Sequence, residues 1–247
     1  MLRACIVAFA MYSKVPMPRV EWNETSMKYA LCFFPLIGVV IGGLELLYME
    51  VSQIMGYGGV MRSCIMAVIP IIVTGGIHMD GYMDTMDALH SYQEKERKLE
   101  ILKDVHIGAF AGIMLVSYYL VYVGGLSELN TREEGILLAI GFILSRTLSG
   151  LALVFFPAAK KTGTLYSFAV TADRNRVRFV LILWLIFSFL VGSFVDWKRW
   201  LGVGIANACL FLYYKWKSQK EFGGITGDLA GWFLALSELV TVVVISL

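Results

Sequence analysis

GILLAIGFILSRTLSGLALVFF, residues 135–156, is long enough to cross a bilayer and carries a single charge, Arg146. A hydrocarbon core of about 30 Å takes roughly 20 apolar residues in a helix. Apolar residues fall on every side of this one, so lipid or buried protein must surround it. Six further runs share its character: Tyr29 to Met49, Val60 to Ile77 and Ile107 to Leu126 before it, then Phe179 to Val195, Trp200 to Tyr214 and Leu229 to Leu247 after it. The whole chain agrees, with 58% hydrophobic and 16% charged residues among 247 and a mean hydropathy of +0.70, too apolar for an ordinary soluble domain. The expected fold is all-α: one polytopic membrane bundle over residues 1–247 with about seven transmembrane helices.

Basic residues collect in cytoplasmic loops, and alternating the seven runs puts most of the 21 Lys and Arg on one side. That side holds Arg3, Lys14, Arg19 and Lys28, the cluster Lys95 to Lys103, Lys160 to Arg178, and Lys215 to Lys220; the other holds Arg62, Arg132, Lys198 and Arg199. The amino terminus is therefore expected in the cytoplasm, with cytoplasmic loops near 78–106, 158–178 and 215–228. A net charge of +2 distributed this way follows topology and argues against a nucleic-acid partner. The four cysteines have no paired spacing, which leaves them to packing. Met1 to Met11 reads as an interfacial helix, and the segment Glu94 to His106 has the spacing of a helix lying on the membrane surface.

The chemistry concentrates in Asp80-Gly81-Tyr82-Met83-Asp84-Thr85-Met86-Asp87. In a helix, positions i, i+4 and i+7 fall within an arc of about 60°, so the three carboxylates share a face. Clustered anions beside a membrane call for a counter-cation, and oxygen-only ligands favour Mg²⁺ or Mn²⁺ over zinc. The pattern GGI, two residues, Asp occurs twice, in Gly75-Gly76-Ile77-His78-Met79-Asp80 and in Gly223-Gly224-Ile225-Thr226-Gly227-Asp228. Two glycine turns that bring backbone close to a ligand would each deliver a carboxylate to one site. Asp104 reads equally as a further metal ligand or a surface acid, and His78 and His106 as hydrogen-bonding groups. A charge such as Arg146 inside lipid needs an anion: Glu45, Glu238 or a substrate phosphate. Lys160 and Lys161 either follow the topology rule or bind phosphate.

The order of these blocks resembles the cobalamin synthases, the adenosylcobinamide-GDP ribazoletransferases of the corrinoid nucleotide-loop pathway. The likeness starts with Tyr12-Ser13-Lys14-Val15-Pro16-Met17-Pro18 and Phe34-Pro35-Leu36-Ile37-Gly38, and is most specific in Thr74 to Gly81 with Asp84 and Asp87. It continues through Leu99 to Asp104, Ile107 to Phe110, Ser145-Arg146, and Gly223 to Asp228 with Gly231 and Glu238; Ala88 and Trp232 are mild departures. The resemblance implies transfer of adenosylcobinamide phosphate from adenosylcobinamide-GDP to α-ribazole or its 5′-phosphate, with release of GMP. It implies that Asp80, Asp84 and Asp228 hold Mg²⁺, that Asp87 binds metal or takes the acceptor proton, and that Arg146 stabilises phosphate charge. Gly75, Gly76, His78, Gly223, Gly224, Thr226 and Gly227 would line the substrate, the last four offering a turn of backbone N–H groups. A homo-oligomer or a complex with other corrinoid enzymes is compatible with it.

Two other classes share parts of this pattern. A lipid-forming CDP-alcohol phosphotransferase also breaks a pyrophosphate with membrane-helix aspartates, but Met83-Asp84 stands where that family has Ala-Arg. A transporter would use Arg146, Glu45 and Glu238 near the midplane between repeats, whereas most acids here sit at one edge.

Overall fold

The computed structural model describes residues 1–21, 23–159 and 171–247; Lys160, Lys161 and the polar residues Thr162, Gly163, Thr164 and Ser167 lie outside them. The described residues form helices α1 (Leu2–Tyr12), α2 (Glu24–Met27), α3 (Phe34–Ile54), α4 (Gly59–Thr74), α5 (Ile77–His90), α6 (Lys95–Ile101), α7 (Ala109–Glu128), α8 (Arg132–Phe155), α9 (Arg174–Phe222) and α10 (Gly227–Ser246). Five are long and apolar enough to cross a membrane, and α4 with α5 adds a sixth if that pair, bent by 98°, counts as one span.

The expectation of seven spans thus meets fewer unbroken helices, and α9 accounts for much of the difference. Its backbone leaves helical geometry at Asp196, with φ −151° and ψ 100°. The Asp196 carboxylate accepts from the N–H groups of Lys198 (3.0 Å) and Arg199 (3.1 Å), starting a new arm. The rings of Phe189 and Trp200 lie 6.4 Å apart, and a methyl group on Gly204 would sit 2.8 Å from the Phe189 ring. In a straight helix residues 189 and 204 would be about 22 Å apart, so α9 doubles back at Asp196 into two antiparallel arms.

At the centre lies α8, buried over most of its length. It approaches α3 through Gly38-x-x-x-Gly42: a methyl group on Gly38 would lie 2.4 Å from the Phe142 carbonyl oxygen, and one on Gly42 2.8 Å from Ala139 Cα. Small residues let helix backbones meet where lipid supplies no hydrophobic drive. Gly38→Val is expected to cost about 1–3 kcal/mol through overpacking, read as a lower unfolding midpoint in detergent.

Polar contacts mark two ends of the bundle. At one end Arg62 donates to Leu129 O (2.8 Å) and Asn130 Oδ1 (3.0 Å), Arg132 meets Glu50 at 3.5 Å, and Arg199 meets Glu134 at 2.9 Å. At the other, Lys98 pairs with Glu221, Arg176 donates to the Tyr29 hydroxyl at 3.0 Å, and Arg178 lies 4.7 Å over the Phe155 ring. Arg62, Arg132 and Arg199 thus share one end, and Lys98, Arg176 and Arg178 the other.

The loop expected near 78–106 is largely helical, since α5 fills its first half and α6 part of the second; the surface helix shortens to Lys95–Ile101 and docks through buried Lys98. Helix α9 likewise runs through Lys215 to Phe222, reducing the third loop to a short turn. The amino-terminal helix α1 buries Ala4, Val7, Ala8 and Phe9 against its neighbours.

Candidate active site

The site begins where α4 stops. Gly75 (φ 67°) and Gly76 (φ 80°) are consecutive left-handed residues, which glycine adopts without steric penalty. They end α4 and set α5 off at 98°, so the acidic helix turns away from the α4 span at the basic end of the bundle. Asp80, Asp84 and Asp87 follow at helical spacing along it.

Helix α5 meets the start of α10 backbone to backbone. A methyl group on Gly81 would lie 2.7 Å from the Asp228 carbonyl oxygen, and one on Gly231 2.8 Å from the His78 carbonyl oxygen. This reciprocal glycine contact sets Asp228 beside the α5 acids. Burial first, then the charges of Asp80, Asp228 and Asp87, push the Asp84 carboxyl up to about 7 from 3.8. Asp80 and Asp228 line one cavity of about 230 Å³ together with Tyr12, Phe34, His78, Ser149 and Gly227.

Asp87 has another task. Its two oxygens accept from Gly108 N (2.6 Å) and Ala111 N (2.8 Å), two of the orphan donors at the start of α7. A methyl group on Gly108 would collide with that carboxylate at 2.5 Å. The structure therefore gives Asp87 the place of a helix anchor beside the acid cluster. Asp87→Ala is expected to cost about 1–2 kcal/mol of stability, seen as earlier proteolysis near residue 108, with Asp87→Asn less affected. Asp104 turns to His106, accepting from its N–H (3.0 Å) and pairing with its ring (2.7 Å); these bonds hold its carboxyl below the usual range. That is the surface-acid reading of Asp104.

The second glycine turn differs from the first. Gly223 (φ 75°) and Gly224 (φ 157°) close α9, and their N–H groups donate to Gln219 O and Ser218 O, both at 3.2 Å. Ile225 N–H donates to Pro157 O at 2.9 Å, and Ala159 N–H returns a bond to Ile225 O at 2.9 Å. The donors of Gly223, Gly224 and Ile225 are thus satisfied within the chain, so at these three positions the turn does not offer the backbone N–H groups expected of it. The Thr226 hydroxyl caps α10 by accepting from Leu229 N at 3.2 Å, and Gly227 opens onto the cavity.

Arg146 is fully buried in α8. Its Nη1 bonds the Glu238 carboxylate, Phe142 O (3.1 Å) and Ser145 Oγ (2.9 Å). Of the three anions open to it from sequence, Glu238 is the partner; both Glu45 oxygens are buried without a hydrogen bond in the structure. With His78 and Tyr122, Arg146 lines a void of about 20 Å³, room for about one water. The structure therefore ties Arg146 to Glu238 through Nη1, while its Nε and Nη2 are buried without a hydrogen bond in the structure.

Sequence reasoning assigned no role to Lys14, Tyr12, Phe34 or Ser149, yet all four line cavities that Asp80 also lines. The signal for three of them was the pair of blocks Tyr12 to Pro18 and Phe34 to Gly38 within the resemblance; Ser149 had none.

Among the described residues, no three His, Cys, Asp or Glu side chains already stand in metal-holding geometry. The donor chemistry nonetheless fits a hard divalent cation: the acids offer oxygen only, and their mutual repulsion is what such an ion relieves. Fold and site define a polytopic helical membrane protein with a carboxylate cluster at one end of its bundle. The model of the cobalamin-5-phosphate synthase family matches residues 4–246, and the chain belongs to that family. A Lachnoclostridium phytofermentans protein named adenosylcobinamide-GDP ribazoletransferase is 46% identical over 239 residues, 96% of this chain and 91% of its own length. Proteins of the same name from Clostridium botulinum (strain Alaska E43 / Type E3) and Desulfitobacterium hafniense are 31% and 32% identical, over 97% and 96% of this chain and 95% and 94% of theirs. No solved structure matches the chain significantly.

Proposed function

We propose that the chain is an adenosylcobinamide-GDP ribazoletransferase. It moves adenosylcobinamide phosphate from adenosylcobinamide-GDP to α-ribazole or its 5′-phosphate. A hydroxyl oxygen of the acceptor attacks the phosphorus that carries cobinamide, the bond from that phosphorus to the bridging oxygen breaks, GMP departs and the hydroxyl proton is lost to water. The carrying observation is that Gly81 and Gly231 bring Asp80, Asp84 and Asp228 together at one end of the bundle, in a chain of this family.

Asp80, Asp84 and Asp228 would hold Mg²⁺, or Mn²⁺ in its place. Bound there, the ion supplies positive charge for the diphosphate oxygens during in-line displacement. The chain's own part is positional: Gly81 and Gly231 set the distance between helices, Asp87 fixes α7, and the Arg146–Glu238 pair supports α10. Topology follows from the same reading. The two arms of α9 count as separate spans, and α4 is a short one, giving about seven crossings. The basic end faces the cytoplasm of a prokaryotic cell, where the phosphorylated reactants are found.

The test is an assay of purified protein in detergent with adenosylcobinamide-GDP and α-ribazole, with and without Mg²⁺, following GMP and the mass of the corrinoid. A new phosphodiester that requires the cation is expected. CMP release from a CDP-lipid would favour the lipid phosphotransferase, and corrinoid uptake by proteoliposomes without a new bond would favour a transporter.

A further inference from the structure

Asp80 stands between two cavities of different character. The smaller, of about 230 Å³, has aromatic walls: the Tyr12 and Phe34 rings are 4.5 Å apart, and Phe34 and His78 lie 6.0 Å apart. Leu153 and buried Ser149 also line it, and Asp228 joins Asp80 there on its acidic side. The larger, of about 590 Å³, is lined by Ser13, Lys14, Thr74 and the Gly75-Gly76 break. Met11, Ile77 and Asp80 belong to both.

Lys14 is held in place at the second cavity. Its N–H donates to Val73 O at 2.7 Å, and its stem crosses the bare Cα of Gly75, where a methyl group would lie 2.4 Å from Lys14 Cε. Among the described residues no carboxylate lies within ion-pair distance of its ammonium group, although Asp80 lines the same cavity. An exposed cation whose backbone and stem are seated at a cavity wall, without an internal anion, suits an anionic ligand.

Resting on the function proposed above, we infer that the two cavities divide the substrates: the aromatic one takes the planar base of the acceptor nucleoside, and the open one takes the diphosphate of the donor, with Lys14 on its phosphate oxygens. The volumes support this order. Ligand pockets usually exceed about 300 Å³, so the smaller cavity suits a single bicyclic base and has no room for a corrinoid. Asp80, shared by both, lies where acceptor hydroxyl and donor phosphorus must meet.

Steady-state kinetics with each substrate varied in turn tests the division. Lys14→Met keeps the stem and removes the charge; it is expected to raise the donor KM at least about tenfold, the loss of one charge-assisted hydrogen bond, and to leave the acceptor KM unchanged. Lys14→Arg is expected to restore the donor KM. Ser149→Leu, which fills the aromatic cavity, is expected to raise the acceptor KM by a similar factor and spare the donor. On the wild-type protein, calorimetry with α-ribazole is expected to give the same affinity with and without saturating GMP. An acceptor defect in Lys14→Met, a donor defect in Ser149→Leu, or displacement of α-ribazole by GMP overturns the division. If the wild-type protein forms no phosphodiester, the proposed function fails, and the calorimetry still decides whether two ligand sites exist.

Discussion

Gly81→Ala is expected to remove about 99% of turnover from a protein that still folds and inserts. The added methyl group would lie 2.7 Å from the Asp228 carbonyl oxygen and 2.8 Å from Asp228 Cα. Real Cβ atoms do not approach backbone that closely, so α5 and α10 must part by some tenths of an ångström or more. The displaced atoms belong to the residue that completes the acid cluster. Misplacement of reacting groups by about 1 Å can cost about 10²-fold. Gly231→Ala, which would press on the His78 carbonyl at 2.8 Å, should reproduce the loss. Gly112→Ala is the control, since a methyl group there meets nothing within 4 Å. GMP release by the three variants at equal protein concentration decides; full activity of Gly81→Ala would show that the α5–α10 distance is not critical.

The second large effect is expected from Asp84→Asn and Asp228→Asn, each lowering kcat by on the order of 10² to 10³-fold through loss of charge that a cation would use. Asp87→Asn should be milder, because that side chain serves the α7 N–H groups and an amide oxygen still accepts from one of the two. Stability should move the other way for Asp84. Its folded-state carboxyl is raised from 3.8 to about 7, so the folded chain binds its proton more tightly than the unfolded one. With chelator present, stability therefore falls as pH rises from about 4 to about 7. Asp84→Asn should flatten that slope and raise the unfolding midpoint above pH 7 while activity falls. Thermal unfolding in detergent across that range checks it, and a variant less stable than wild type at pH 8 would contradict the crowding of acids around Asp84.

Much of this arrangement is legible in the sequence because lipid leaves few choices. The run around Arg146 can only be a buried helix, and the basic residues sort the helix ends. Even the doubled α9 shows as two apolar runs around Asp196 to Arg199. The Asp80, Asp84 and Asp87 spacing gives a shared face once α5 is helical, and the repeated GGI pattern correctly couples Asp80 to Asp228. What the sequence hides depends on contacts between distant residues. Two glycines after Thr74 allow a loop as readily as a 98° turn. Nothing near Asp87 announces that Gly108 and Ala111 will take its oxygens, and Glu45 and Glu238 are equally plausible anions until helices α3, α8 and α10 are packed. Lys14 is one basic residue among many on its side, and only the break at Gly75 gives it a special place.

The buried pairing of Arg146 with Glu238 has a mechanical consequence. Sliding α10 along α8 by one helical turn, about 5.4 Å, would strand a cation and an anion in a medium that solvates neither. The pair therefore acts as a latch on axial register. Asp228 lies ten residues before Glu238 on the same helix, so the latch also sets how deep that carboxylate sits, about 15 Å away.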